Sequence, residues 1–130
     1  MHRFPFRFDS RFTLMLRVGG ITPDRSVVEV TEDTFAARFG RWAVETPTTN
    51  LARFEVTGDY RWFRAIGVRS SLADHGLTFG SNAEAGVCVC FRQPVAGTGP
   101  LLFPSHAALT VTVADVDGLA NALRGYGVPG

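Results

Sequence analysis

A chain of 130 residues, 45% of them hydrophobic, is long enough to fold as one domain around its own core without metal ions or disulfides. The net charge is +1, because thirteen basic residues, all of them arginine, are nearly balanced by twelve acidic ones. A nucleic-acid-binding protein usually carries a surplus of positive charge, so we expect no nucleic-acid partner.

Residues 1–20 are predicted to form an N-terminal arm within a single domain spanning 1–130. From Arg3 to Phe8, arginine or proline alternates with phenylalanine, which predicts an edge strand or an extended strap that covers the sheet. An arm that touches a membrane or a partner is the alternative. The segment Ser10 to Val18 fits either a short helix capped by Ser10 or a strand.

A strand over Ser26 to Thr31 leads into Phe35 to Gly58, a stretch with the alternation of an antiparallel meander of three strands. One side of the meander is apolar and includes Phe39, Trp42, Phe54 and Val56, and the other side is charged. Gly40 is expected to reverse the chain once, and the stretch from Pro47 to Asn50 a second time.

Three aromatic residues and three arginines then interleave between Asp59 and Arg69. The candidate binding residues of the chain lie here: Tyr60, Arg61, Trp62, Phe63, Arg64 and Arg69. Such a mixture can stack on rings, grip an anionic head group or lie at a membrane interface. It can equally be a structural plug, in which Trp62 and Phe63 fill an open end of the barrel while the arginines stay in solvent.

Further strands are predicted over Val68 to Ala73, Leu77 to Gly80 and Gly86 to Arg92, with a reversal between the first two. The stretch Gln93 to His106 is rich in proline and glycine, and it is predicted to be a long surface loop.

The last predicted strand, Ala108 to Ala114, leads directly into a helix. Asp115 is its expected N-cap, an apolar stripe runs down one face, and Gly125 is its expected end. The stripe consists of Val116, Leu119, Ala120 and Leu123. The stripe must lie against the β structure, since no other partner is available in the chain.

No motif of a known catalytic or cofactor-binding type occurs in the chain, so we expect neither an enzyme nor a bound cofactor. Ser105 and His106 are adjacent in the sequence. Neighbours on a strand point to opposite faces, so we do not expect these two residues to act as a catalytic dyad. Cys88 and Cys90 share one face of a strand and are expected to be reduced thiols. No metal site is expected, because the spacing of the cysteines and histidines matches no common ligand set.

Many short strands closed by one C-terminal helix resemble the bacterial pleckstrin-homology-like (PH-like) barrel. The meander Phe35 to Thr57 and the ending LTVTVADVDGLANALR carry the resemblance, and the whole chain is similar to uncharacterised actinobacterial proteins. The resemblance implies a mainly β fold, an antiparallel meander forming a PH-like roll or small barrel with one C-terminal α-helix. Eight strands are counted from Ser26 onward, in addition to the arm, where that fold has seven. Either Val68 to Ala73 is not an independent strand, or the barrel is of another kind, such as a lipocalin-like or split barrel.

The resemblance implies a binding scaffold. In eukaryotic relatives the loop between the first two strands holds phosphoinositides with basic residues, but here that connection is the acidic Glu32-Asp33-Thr34, so lipid binding is not carried over. We therefore predict a non-enzymatic protein-interaction or assembly module. A small-molecule or lipid-binding β-barrel with an aromatic-lined cavity is the alternative.

The expected partner is thus a protein or a hydrophobic or anionic small ligand, and a homodimer is allowed. No stretch reaches the length and apolar character of a transmembrane segment, and MHRFPFRFDS lacks the apolar run of a signal peptide. We therefore expect a cytoplasmic protein.

Overall fold

The computed structural model describes residues 2–58, 67–70, 76–81, 85–98 and 105–130. This part of the chain is mainly β, with two sheets and a C-terminal helix, which confirms the predicted fold class. The described strands form two separate sheets and do not close into a barrel.

The first sheet, sheet I, contains four antiparallel strands in the spatial order β1-β2-β3-β4. Their bounds are β1 His2–Pro5, β2 Ser26–Val30, β3 Thr34–Phe39 and β4 Trp42–Pro47. The predicted edge strand is present as β1, and Phe4 and Phe6 from this arm are buried. Gly40 turns the chain with a φ of 64°, so that Phe39 faces Trp42 across the hairpin as expected.

The second sheet, sheet II, holds five strands in the order β5-β8-β9-β7-β6. Their bounds are β5 Leu51–Gly58, β6 Gly67–Ser70, β7 Gly76–Gly80, β8 Ala85–Ala96 and β9 Ser105–Val111. All neighbours are antiparallel except β7 and β9, which run parallel, so one pair departs from the predicted antiparallel meander. The described residues thus contain eight strands from Ser26 onward, the number that the sequence predicts.

The predicted three-strand meander is wrong at its third strand, because β5 pairs with β8 and not with β4. A single 3₁₀ turn over Thr48–Asn50 sends the chain from one sheet to the other. Asn50 fixes this crossing: its side chain accepts a hydrogen bond from the amide of Gln93 at 2.9 Å and donates one to the carbonyl of Gln93 at 3.0 Å. Val56, predicted to face inward with Phe54, is half exposed.

The ambiguous segment near the N-terminus is a helix, α1, over Ser10–Val18. Its N-cap is Asp9 and not Ser10, since the Asp9 carboxylate accepts a hydrogen bond from the amide of Arg11 at 3.0 Å. Asp9 is favoured over Ser10 as the N-cap because its carboxylate, unlike a hydroxyl, also forms an ion pair with the guanidinium of Arg11 at 2.8 Å.

The C-terminal helix, α2, spans Val116–Gly125. Asp115 caps it as predicted, accepting a hydrogen bond from the amide of Gly118 at 2.9 Å, and the expected stripe is buried at Leu119, Ala120 and Leu123. The helix packs against β8, β5 and β1. Gly125 is still helical, and the chain leaves the helix at Gly127, where φ is 87°.

The predicted loop Gln93 to His106 is wrong at both ends, because Gln93–Ala96 extends β8 and Ser105 begins β9. Between them, Thr98 pairs with Ala43 of β4 through two backbone hydrogen bonds of 2.9 and 2.8 Å. Backbone pairing overrides the local preference of proline and glycine for a loop. Residues 99–104 lie outside the described residues, as do residues 71–75, on which the end of the predicted strand Val68 to Ala73 and the first two residues of the predicted reversal Asp74-His75-Gly76 fall.

The two sheets share one core, and three phenylalanine rings in contact mark its centre. The ring centroid of Phe39 in sheet I lies 4.9 Å from that of Phe6 and 5.4 Å from that of Phe79 in sheet II. The sheets also join through hydrogen bonds around Ser81, whose hydroxyl donates to the carbonyl of Arg7 at 2.5 Å and whose amide donates to the hydroxyl of Thr112 at 2.8 Å. The N-terminal arm is therefore fastened between the sheets.

Candidate interaction surface

Most of the predicted binding residues lie outside the part of the chain that the structure describes. Tyr60, Arg61, Trp62, Phe63 and Arg64 lie outside the described residues, so their role stays a prediction. Arg69 lies on β6, the edge strand of sheet II, opposite Thr78 of β7.

The two most exposed large apolar side chains among the described residues, Leu14 and Val18, lie on α1, and the exposed Met15 lies beside them. Leu14 is 76% exposed, Met15 49% and Val18 84%. In a helix, residues three and four apart lie side by side, so these three form one continuous strip. The opposite face of α1 is buried through Phe12 and Leu16. The strip therefore points away from the core.

We call Arg11, Leu14, Met15 and Val18 together the α1 ridge. Their spacing is i, i+3, i+4 and i+7, the pattern with which a helix lays one face into a groove of another protein. Single exposed hydrophobic side chains are normal on any protein, but three adjacent ones on one short helix form a patch that favours contact with a partner.

The ends of α1 hold the ridge in a fixed orientation. At the start, hydrogen bonds from Arg11 to the carboxylate of Asp9 lower the pKa of Asp9, so that the capping group stays charged. At the end, the amides of Gly20 and Ile21 donate to the carbonyls of Arg17 and Leu16, at 3.0 and 2.9 Å. Ile21 is buried and ties the end of the helix to the core.

Clefts elsewhere on the described surface are open and mixed in character. One of about 470 Å³ lies between β1 and α2, with Phe4, Tyr126 and Asp115 among its lining residues. Phe4 is its one phenylalanine, and two further clefts of about 240 and 280 Å³ contain none. The aromatic-lined cavity of the alternative stays a prediction.

The two cysteines lie side by side on the outer face of β8, half-buried and as free thiols, as the sequence predicts. Burial raises the pKa of the Cys88 thiol, and the neighbouring Cys90 adds to the effect. Within the described ranges, no three His, Cys, Asp or Glu side chains come together in a way that could hold a metal ion. His106 is buried while Ser105 is exposed, which confirms that the two do not share a face.

The sequence contained a signal for the ridge that the prediction did not use. Between Phe12 and Val18, five of seven residues are apolar, a set too wide for a helix that buries a single face. Such an excess indicates either a fully buried helix or a helix with a second apolar face. The structure shows the second case, because Phe12 and Leu16 are buried while Leu14, Met15 and Val18 are exposed.

None of the helices in the described part of the chain has the length and apolar character needed to cross a bilayer. Comparison with protein-family models, with curated proteins and with solved structures finds no match to this chain.

Proposed function

We propose that this chain is a non-enzymatic, PH-like protein-interaction module that docks on its partner through the α1 ridge. The observation that carries the proposal is the outward exposure of Leu14 and Val18, by 76% and 84%, on a helix whose other face is anchored in the core. A mainly β scaffold with a C-terminal helix supports the PH-like part of the proposal. The cytoplasmic location belongs to the same proposal.

Burial of the apolar side chains of the ridge contributes free energy to association. Complete burial of an aliphatic side chain contributes roughly 1.5–3 kcal/mol, so Leu14, Met15 and Val18 together offset a useful part of the cost of bringing two proteins together. The helix is already folded and capped, which means that little conformational entropy is lost on binding. The segment around Tyr60 to Arg64 is a second candidate contact surface of the same module.

Photo-crosslinking in an extract of the native host tests the proposal. A photoreactive phenylalanine replaces Leu14 in one version of the full chain and Arg38, an exposed residue of β3, in a matched version. We expect a discrete crosslinked species of higher mass from position 14 that is absent from position 38. The captured protein, once purified, should bind the unaltered chain. Its affinity for the chain that carries both Leu14→Ser and Val18→Ser should be at least about tenfold lower.

The same change at Val56→Ser, a half-exposed apolar residue of β5, is the matched control and should leave binding unchanged. The proposal is wrong if position 14 gives no discrete species, or if the captured protein binds the Leu14→Ser, Val18→Ser chain as tightly as the unaltered one.

A further inference from the structure

Positive charge is concentrated in the N-terminal part of the chain, which carries the α1 ridge. Residues 1–25 contain five arginines and two acidic residues, whereas residues 26–130 contain eight arginines and ten acidic residues. The near-neutral total therefore hides a basic N-terminal region and a slightly acidic remainder.

Arginines from several parts of the chain lie close to α1. Arg11 and Arg17 lie on the helix itself, and the side chain of Arg41, from the turn between β3 and β4, lies against Gly20 at the end of the helix. Arg7 is close enough to act on the charge of Asp9, and Arg25 acts on Asp24 together with Arg17. The apolar strip thus has a cationic border.

The two acidic residues in this region do not cancel the border. Asp9 is held by the guanidinium of Arg11 at 2.8 Å and caps α1, so one arginine and one carboxylate are used within the molecule. The surroundings of Asp24, which include Thr22, Arg25 and Arg17, lower the pKa of its carboxyl and keep it charged. Within residues 2–25, all of which the structure describes, arginines still outnumber carboxylates.

From this arrangement we infer that the partner presents an apolar groove bordered by Asp or Glu side chains, into which the α1 ridge inserts Leu14, Met15 and Val18. The arginines then face carboxylates at the rim. This inference rests on the proposed function and adds to it the chemical character of the partner. Charge complementarity of this kind sets which partner is selected and how fast it binds.

A second copy of this chain is a poor occupant of the same surface. A twofold contact between two α1 ridges brings the same arginine border close to itself, and like charges across an interface oppose association. A membrane surface also fits less well. Helices that lie on membranes commonly carry Trp, Phe or Leu on the apolar face. The one aromatic residue of α1, Phe12, is buried in the core, and Leu14 is the one residue of these three types in the exposed strip.

The test uses the protein captured from position 14, produced in pure form, and the full-length chain. We expect the dissociation constant to rise about tenfold between about 50 and about 500 mM NaCl, because salt screens the pairs at the rim. At low salt, Arg17→Glu should weaken binding by about tenfold and reduce the salt dependence, since it places a carboxylate against carboxylates. Arg38→Glu, on β3, should change the dissociation constant by less than about twofold.

The salt titration needs no variant, so a loss of helix stability in Arg17→Glu does not affect it. If binding is lost with Leu14→Ser and Val18→Ser but is insensitive to salt and to Arg17→Glu, the acidic groove is refuted while the proposed function stands. A crosslink only to a second copy of the chain also refutes the acidic groove and leaves the proposed function standing. Binding only to vesicles of phosphatidylglycerol and phosphatidylcholine, or no crosslink at all, refutes the proposed function and this inference with it.

Discussion

At the scale of single residues, Gly40 is the position where sequence and structure constrain each other most tightly. It adopts a φ of 64° in the turn between β3 and β4, in the left-handed region that favours glycine. A Cβ atom at this position would lie 2.7 Å from the carbonyl oxygen of Gly20 and 3.0 Å from the Cα of Ile21. Gly40 therefore joins the β3–β4 hairpin to the segment that ends α1.

We predict that Gly40→Ala lowers the free energy of unfolding by about 2–4 kcal/mol, from backbone strain and from overlap with a main chain that cannot move aside. Gly127→Ala is the matched control, because Gly127 has a φ of 87° but no atom within 4 Å of an added Cβ. It should cost only about 1 kcal/mol. Urea denaturation measures both, and equal losses would show that the contact with Gly20 is not part of the cost.

Cys88 gives a second prediction at this scale. Burial raises the pKa of its thiol, so the thiolate fraction near neutral pH is smaller than for an ordinary cysteine. In a Cys90→Ser background we expect slow alkylation by iodoacetamide at neutral pH. Mass spectrometry measures the rate of alkylation at each pH. The rate should rise as the pH increases, with a midpoint above the ordinary pKa of a cysteine thiol. A midpoint below the ordinary value would contradict the burial of this side chain.

At the scale of elements, α2 shows how local signals and packing agree. Asp115 supplies the cap, Leu119 and Leu123 supply the buried face, and the helix continues through Gly125, where the backbone is helical and surrounded by open space. Glycine within a helix carries an entropic cost that alanine avoids.

We predict opposite changes at the two ends of α2. Asp115→Ala should lower the free energy of unfolding by about 1 kcal/mol through loss of the cap, and Gly125→Ala should raise it by about 0.5–1 kcal/mol. Asp117→Ala, an exposed acidic residue in the same first turn, is the control and should cost at most about 0.5 kcal/mol. Thermal and urea unfolding measure all three. The cap has no special role if Asp115→Ala and Asp117→Ala are equivalent.

At the scale of the whole molecule, the joint around Ser81 and Thr112 holds the arm and the two sheets together. The Thr112 hydroxyl is fully buried, accepts a hydrogen bond from the amide of Ser81, and lies 3.3 Å from the carbonyl of Phe79. A polar group inside the core is costly to leave without a partner.

We predict that Thr112→Val, which keeps the shape of the side chain, lowers the free energy of unfolding by about 1–3 kcal/mol because it leaves the Ser81 amide buried without its acceptor. Hydrogen exchange at that amide should become faster. Thr110→Val, at a half-buried position of β9 two residues before Thr112, should stay within about 0.5 kcal/mol of the unaltered chain. Comparable losses for both variants would mean that the joint has no special role.

Alternation and capping predicted the elements whose signals are local. The buried side of β3 and the helix after Asp115 follow from period and cap alone. The assignment of β5 to sheet II could not be predicted, because a period-two pattern indicates a buried face but not which strand lies alongside. That choice depends on a distant hydrogen bond between Asn50 and Gln93.

The candidate surface was missed for a related reason. Leu14 and Val18 are apolar, and composition alone places apolar residues inside. Their exposure depends on which face of α1 reaches the core, and Phe12 and Leu16 occupy that face. The aromatic and basic segment from Tyr60 to Arg64, which the sequence favoured, stays a prediction.

The parallel pairing of β7 with β9 has a consequence for the order in which the chain folds. In sheet I, β2, β3 and β4 are joined by short turns, so their pairing needs only local contacts. In sheet II, β9 lies between β8 and β7 although it is the last strand in the chain. During synthesis, β7 and β8 each keep an open edge until residues 105–111 emerge and insert between them. Nascent chains are then most exposed to aggregation, and sheet I can act as the template on which sheet II is completed.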